Sequence, residues 1–440
     1  MILREVAASL YAWDLADEGA KPVMDELEQR SGVNSVYLVG VMHHEKRPLT
    51  SLFFTHNPNR KFYIPENSCT YYQMDDRAFG DLRLKPCYTK RDFLKGRDWL
   101  TVLTEEARRR GLKTGVELSH TLFDTDIAME KYPEMMQRDC NGNLFDGFLG
   151  MLCSNHPEVR EFQMRMFEQT LRSHDVDFIQ TCLITFYPGK PVSAPWFVKG
   201  WMQGAKPALA DLLGLANGGC FCDSCRAAAI AMGYDWELIL RDMRKLHRIV
   251  NATVLSQQEL VMENHLLTAG SATEGLLLME YPGLMEFLKF RVESVTKLFS
   301  EVYELVHRVK PGVDFRYNNF VHVAEHAGLS FKRIAPYLDS VRDCEYSEHF
   351  GAPDQFRFKR QNLLEIRRGI GFDKQLIAAI ATRPNATPEI IYNSLAALSE
   401  VGIDGISLGH YDSAHLEHLD AVGEGLRRIH AQLPPKTAQQ

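Results

Sequence analysis

The chain has 440 residues, 45% hydrophobic and 24% charged, with a formal charge of −7. That balance provides for a large core and excludes a nucleic-acid binder, because no long basic run accompanies the mildly acidic total. No stretch reaches the roughly 18 apolar residues of a membrane span.

The first ten residues, Met1 to Leu10, lack the basic start and long apolar run of a signal peptide. A cytoplasmic chain with reduced thiols is therefore expected. Its nine cysteines then read as free thiols plus a metal site, not as a disulfide framework.

Short β-type runs alternate with amphipathic helical stretches, the pattern of parallel strands joined by helical crossovers. The first strand is expected at 6–13, with a helix at 21–31, and the second at 35–41. An irregular Asn-, Pro- and Tyr-rich segment runs to about residue 90. A helix at 99–110 leads to a third strand at 113–118. Pro157 suits the first turn of a helix, where its missing N–H costs nothing. That helix runs to about 173 and a fourth strand follows at 176–182.

Residues 183–309 read as one large insertion. The remaining strands are expected at 313–317, 340–344, 374–380 and 405–409, with helices at 388–401 and 416–429. Gly402 fits a helix C-cap just before the last strand. Eight strands predict a single (β/α)8 TIM barrel over 1–433 with long βα-loop insertions, and a disordered tail at 434–440. An open doubly wound sheet is the competing architecture, but Tyr11-Ala12-Trp13-Asp14-Leu15 offers no Gly-rich phosphate turn after the first strand.

In such barrels the chemistry sits at the C-terminal strand ends. The residues falling there are Trp13 and Asp14, His43 and His44, Glu117 and His120, Gln180 and Thr181, Arg316, Tyr317, Asn318 and Asn319, Asp343, Glu345 and Glu348, Thr382 and Arg383, and His410, Tyr411 and Asp412. The catalytic candidates are Glu117, Glu345, Asp14 and Asp343. Glu117 leads, because a charge in the buried-strand sequence Thr114-Gly115-Val116-Glu117-Leu118 needs a partner or a function. The substrate-binding candidates are Trp13, His44, His120, Gln180, Tyr317, Asn318, Arg383 and His410. Amides and charges would bond sugar hydroxyls while rings stack on C–H faces. Asp14 as a helix cap and Trp13 as a core residue are the bland alternatives.

Cys220, Cys222 and Cys225 lie within six residues and end in Cys-x-x-Cys, a metal-ligand spacing. A structural zinc needs a fourth ligand, for which Cys182, Cys153 or a histidine is available. Three reduced thiols without metal remain the competing reading. No organic cofactor is expected, and a homo-oligomer is compatible with the composition.

Three segments resemble a glycoside-hydrolase-like (β/α)8-barrel family. They are Asn155-His156-Pro157-Glu158-Val159-Arg160 at a helix start, Asp177-Phe178-Ile179 in the next strand, and the loop His56 to Glu66. The Cys-x-Cys-x-x-Cys turn is similar to the zinc cluster of certain β-galactosidases on the same barrel. The resemblance implies a carbohydrate-active enzyme. In the β-galactosidase type an acid/base Glu follows Asn at the end of strand four, and the nucleophilic Glu lies on strand seven. Here those ends read Gln180-Thr181-Cys182 and Ala381-Thr382-Arg383, so neither carboxylate carries over.

The expectation is therefore a glycoside hydrolase with a non-standard carboxylate pair, acting on a glycoside or oligosaccharide. Its alternatives are a metal-dependent sugar isomerase, epimerase or lyase using His44, Glu117, His120 and His410, and a non-catalytic sugar-binding barrel.

Overall fold

The computed structural model describes residues 3–41, 56–61, 63, 66, 68–118, 125–145, 152–182, 186, 212–251, 253–264, 273–319, 327–346, 348, 355–383 and 385–432. Eight parallel strands close in sequence order, forming the expected (β/α)8 barrel. They are β1 (Glu5–Leu10), β2 (Ser35–Val41), β3 (Lys113–Leu118), β4 (Phe178–Thr181), β5 (Asp314–Asn319), β6 (Ser340–Asp343), β7 (Gln375–Ala381) and β8 (Gly405–Gly409). The ring shuts where β1 pairs with β8, Glu5 opposite Gly405 and Ala8 opposite Leu408.

β1 stops three residues short of the expected end. The Asp14 carboxylate accepts the Tyr11 backbone N–H at 2.8 Å, turning the chain into the helix Ala12–Asp17. A carboxylate that satisfies a backbone donor at a helix start favours this turn over continued strand.

The segment expected as one insertion also supplies part of the ring. Its last helix, Pro282–Val309, packs against the helix Pro157–Ser173 and leads directly into β5. Phe299 on its inner side meets Phe315 and Tyr317 of β5 at ring-centroid distances of 6.1 and 5.4 Å. The helix starts where the Gly283 N–H donates to Asp242 Oδ2 at 2.8 Å. A Cβ at Gly283 would lie 2.4 Å from the Leu238 carbonyl oxygen, so only glycine permits this approach to the helix Trp236–Val250.

Along each strand alternate residues face the axis. The outward set (Val6, Leu38, Val116, Ile179, Phe315, Val341, Leu376, Ile406) is buried beneath the helices. The inward set is largely polar at the N-terminal end of the barrel. Arg316 reaches across to Glu5 with bonds of 2.9 and 3.1 Å, and also binds Asp314 at 2.7 Å and Ser340 at 3.0 Å. Lys113 and Ser35 complete the contacts of Glu5 at 3.2 and 3.0 Å.

Burial alone would raise the Glu5 pKa. Arg316 and then Lys113 overrule it and hold the carboxyl at about 2. Above this floor, Ala7, Tyr37 and Phe178 form a small apolar plug, with the Tyr37 hydroxyl 3.1 Å from Ser407 Oγ. The barrel is thus filled from below, and its inward side chains can meet a ligand only at the C-terminal mouth.

Candidate active site and cysteine cluster

The mouth is built from the last inward residue of each strand and the residues just after it. On β3 and β4, Gln180 Nε2 donates to Glu117 Oε2 at 2.5 Å. On β5 and β6, Arg342 Nη1 donates to Asn318 Oδ1 at 2.7 Å, and Arg342 Nη2 bonds the Tyr346 hydroxyl. On β1 and β8, Ser9 Oγ lies 2.7 Å from His410 Nδ1. The His410 ring sits between those of Tyr11 and Tyr346, at 5.2 and 5.8 Å. Ser9 Oγ has one proton to share between the Leu408 carbonyl, 3.1 Å away, and His410 Nδ1, so this hydroxyl couples the His410 ring to the β8 backbone.

The structure therefore brings Glu117, Gln180, Asn318 and His410 together, as the sequence suggested. Arg383, just past β7, joins them with its guanidinium carbon 5.9 Å from the Tyr346 ring centre. Glu345 lies half-buried two residues beyond β6. His44 and His120 lie outside the described residues.

Four expectations change. Trp13 is fully buried, stacked on Tyr11 at 4.3 Å and packed against Tyr63 and Tyr71, so its indole is core and not a sugar platform. Asp14 is equally buried and serves as the cap that bends the chain after β1. Tyr317 and Asp343 fall on the outward phase of their strands. Tyr317 packs on Phe299, and Asp343 accepts from Asn319 Nδ2 at 3.0 Å. Period two puts them on the opposite face from Arg316, Asn318 and Arg342. Glu348 is also accounted for structurally: it forms a buried ion pair with Lys359 and accepts the Ala381 N–H.

Asp412 and Arg342 carry more weight in the structure than in the sequence reading. Asp412, 2% exposed in the turn Tyr411–Ser413 after β8, accepts from Trp13 Nε1 at 3.3 Å. Burial lifts its pKa to about 6, against the opposing pull of Arg383. Burial and then Asp412 push Asp14 well above the usual carboxylate range, so the two buried carboxyls do not both ionise readily. Burial, and after it the nearby charge of Asp412, pushes the Tyr11 hydroxyl well above its ordinary pKa, with Arg383 opposing.

The cysteine cluster is a separate feature. The sulfurs of Cys153, Cys220, Cys222 and Cys225 all lie within 4.8 Å of one another, and all four residues are buried. Cys153 is thus the fourth member, and Cys182 is not part of the group. Two of the sulfur pairs measure 3.4 and 3.5 Å. A tetrahedral ZnS4 centre with Zn–S near 2.3 Å has edges of about 3.8 Å, so the donor set suits a closed divalent-metal site. Cys222 opens the helix Asp223–Ala231, where unpaired N–H groups favour a thiolate. Asn155 Nδ2 donates to Cys225 Sγ at 3.4 Å while its Oδ1 accepts from Ser294, holding the cluster to the helix Pro282–Val309.

No family model and no curated protein matches this sequence. Solved structures do match its fold. What they share with this chain is the (β/α)8 barrel. The glycoside hydrolase domain of PgaB (BpsB) from Bordetella bronchiseptica aligns with 98% of this chain and 99% of its own, at 13% identity and a TM-score of 0.54. A β-galactosidase from Halorubrum lacusprofundi aligns over 98% of this chain with a TM-score of 0.56 and 12% identity. An α-L-fucosidase from Paenibacillus thiaminolyticus does so over 98% with 0.52 and 13%. This chain spans 58% and 50%, respectively, of those two proteins. Among the described residues no helix is long and apolar enough to cross a membrane.

Proposed function

We propose that this protein is a glycoside hydrolase acting on a glycoside or oligosaccharide through a carboxylate pair that includes Glu117. The observation that carries the reading is the hydrogen-bonded Glu117–Gln180 pair on the inner face of the mouth, above a floor whose own charges are paired. A carboxylate oriented by an amide can act as base or nucleophile at an anomeric carbon. Asp412 is the better partner on chemical grounds. Its carboxyl, held at about 6, keeps a proton far longer than an ordinary aspartate and can deliver it to a leaving oxygen. Glu345, beyond the end of β6, is the second choice. Asn318, Arg383 and His410 would bind sugar hydroxyls or charge around these acids.

The four-cysteine site would hold a structural zinc. Bound metal there would tie the 153–155 turn to the start of the helix Asp223–Ala231. Its proposed role is structural, and no part of the hydrolytic step is assigned to it.

Purified protein assayed against a panel of aryl glycosides of both anomers should release aryl alcohol from at least one. Glu117→Gln, with its fold intact by circular dichroism, should lower kcat by about 10²–10⁴-fold, the usual range for a positioned acid or base. Full activity in that variant removes Glu117 from the mechanism.

A further inference from the structure

Two arginines at the mouth are not explained by what surrounds them. Arg342, 1% exposed on the inner face of β6, donates to two neutral groups, Asn318 and Tyr346, and its Nε is buried with no partner. Arg383, at the end of the adjoining β7, also keeps a buried Nε without a partner. Their guanidinium carbons lie 5.7 and 5.9 Å from the same Tyr346 ring centre. Among the described residues no carboxylate comes within ion-pairing distance of either.

The contrast with two other buried arginines lies in the carboxylate partner: Arg316 pairs with Glu5 and Asp314, and Arg367, whose Nε is also unpartnered, pairs with Asp404 at 2.9 Å. A buried charge without an anionic partner is costly, and such donors are retained where a ligand supplies the acceptor. Gln180 Oε1, at the same mouth, is likewise buried and unpartnered.

We propose that Arg342 and Arg383 read a carboxylate on the bound sugar, so that this site takes a hexuronic acid residue and not a neutral hexose. The inference rests on the glycoside-hydrolase reading above and narrows its substrate class. Neither guanidinium has a carboxylate partner among the described residues, and a ligand carboxylate would supply one to both. The planar fork of arginine matches the two oxygens of a carboxylate.

The test is isothermal titration of the full chain with matched methyl glycosides of both anomers: glucuronic acid against glucose, and galacturonic acid against galactose. At least one uronide should bind tenfold or more tightly than its neutral twin. Arg342→Gln and Arg383→Gln, each checked for an unchanged circular dichroism spectrum, should each reduce that preference at least tenfold. Arg383→Lys, which keeps the charge and loses the fork, should retain part of it.

Equal or tighter binding of the neutral twins, no binding of any uronide, or a preference that survives both glutamine variants overturns the proposal. Tighter binding of methyl glucoside 6-sulfate than of the glucuronide also overturns it, in favour of a sulfate ester. Turnover is a separate readout. Selective uronide binding with no hydrolysis of any aryl uronide sinks the hydrolase reading alone. Hydrolysis of neutral aryl glycosides without uronide preference sinks only the arginine assignment.

Discussion

The two ends of the barrel use charge in opposite ways. At the floor, Glu5, Lys113, Asp314 and Arg316 come from strands far apart in sequence and satisfy one another, with Ser35 and Ser340 taking up further lone pairs and protons. At the mouth, Gln180 Oε1, Arg342 Nε and Arg383 Nε are buried without hydrogen-bond partners. The floor is a closed network whose product is stability. The mouth keeps directional donors and acceptors in reserve, as a binding site does at the expense of stability. Loss of a charged group should therefore be felt as unfolding at one end and as lost chemistry at the other.

The strongest way to break the contrast is Arg316→Met. Removing the central cation leaves buried Glu5 and part-buried Asp314 with Lys113 as their one remaining cation, and should cost about 3 kcal/mol of unfolding free energy. Chemical denaturation would measure it, and the folded fraction should keep wild-type ligand affinity. A loss below about 1 kcal/mol would mean the floor is not the closed network described here.

Acid titration gives the next effect. Glu5 is held at about 2 against an ordinary 4.5. Its contribution is complete above pH 4.5 and is lost as pH falls from there through 2. The size is of the order of 3 kcal/mol, from 1.36 kcal/mol per pH unit of separation. Glu5→Gln should be less stable than wild type at neutral pH, with the difference shrinking steadily below pH 4.5.

At the mouth, the pH–rate profile sharpens the comparison. With Asp412 as the acid, activity should decline as pH rises through about 6, and Asp412→Asn should remove that limb along with most of kcat. An unchanged limb in the variant would transfer the acid role to Glu345. The smallest effect belongs to Arg342→Met, which should alter unfolding free energy by about 1 kcal/mol or less, because only two neutral hydrogen bonds are lost. A loss as large as that of Arg316→Met would show that Arg342 is structural.

The barrel itself was legible because alternating strand and helix patterns run the length of the chain, and strand placement held to within a few residues. The errors at the site have one main source. In β5, Asp314, Arg316 and Asn318 share one phase, and Phe315 and Tyr317 the other. The polar phase points inward because the interior is an ion network, and the apolar phase meets the helices. Read by phase, the same pattern would have set Tyr317 and Asp343 aside and drawn attention to Arg342, which shares its parity with Ser340. The capping role of Asp14 is a local contact that a strand-first reading overrode. Cys153 joins the cysteine turn from 67 residues before Cys220. No spacing rule connects them, so only the folded arrangement could choose it over the alternatives.

The seam between β1 and β8 has a consequence for how the molecule is made. Hydrogen-bond partners for Glu5 to Ala8 on that side are about 400 residues away, so a ribosome must deliver the chain through Leu408 before the ring can shut. Until then a growing sheet offers two raw edges to other nascent chains. Truncation just upstream of Gly405 should therefore give an aggregating product and not a smaller, weaker enzyme.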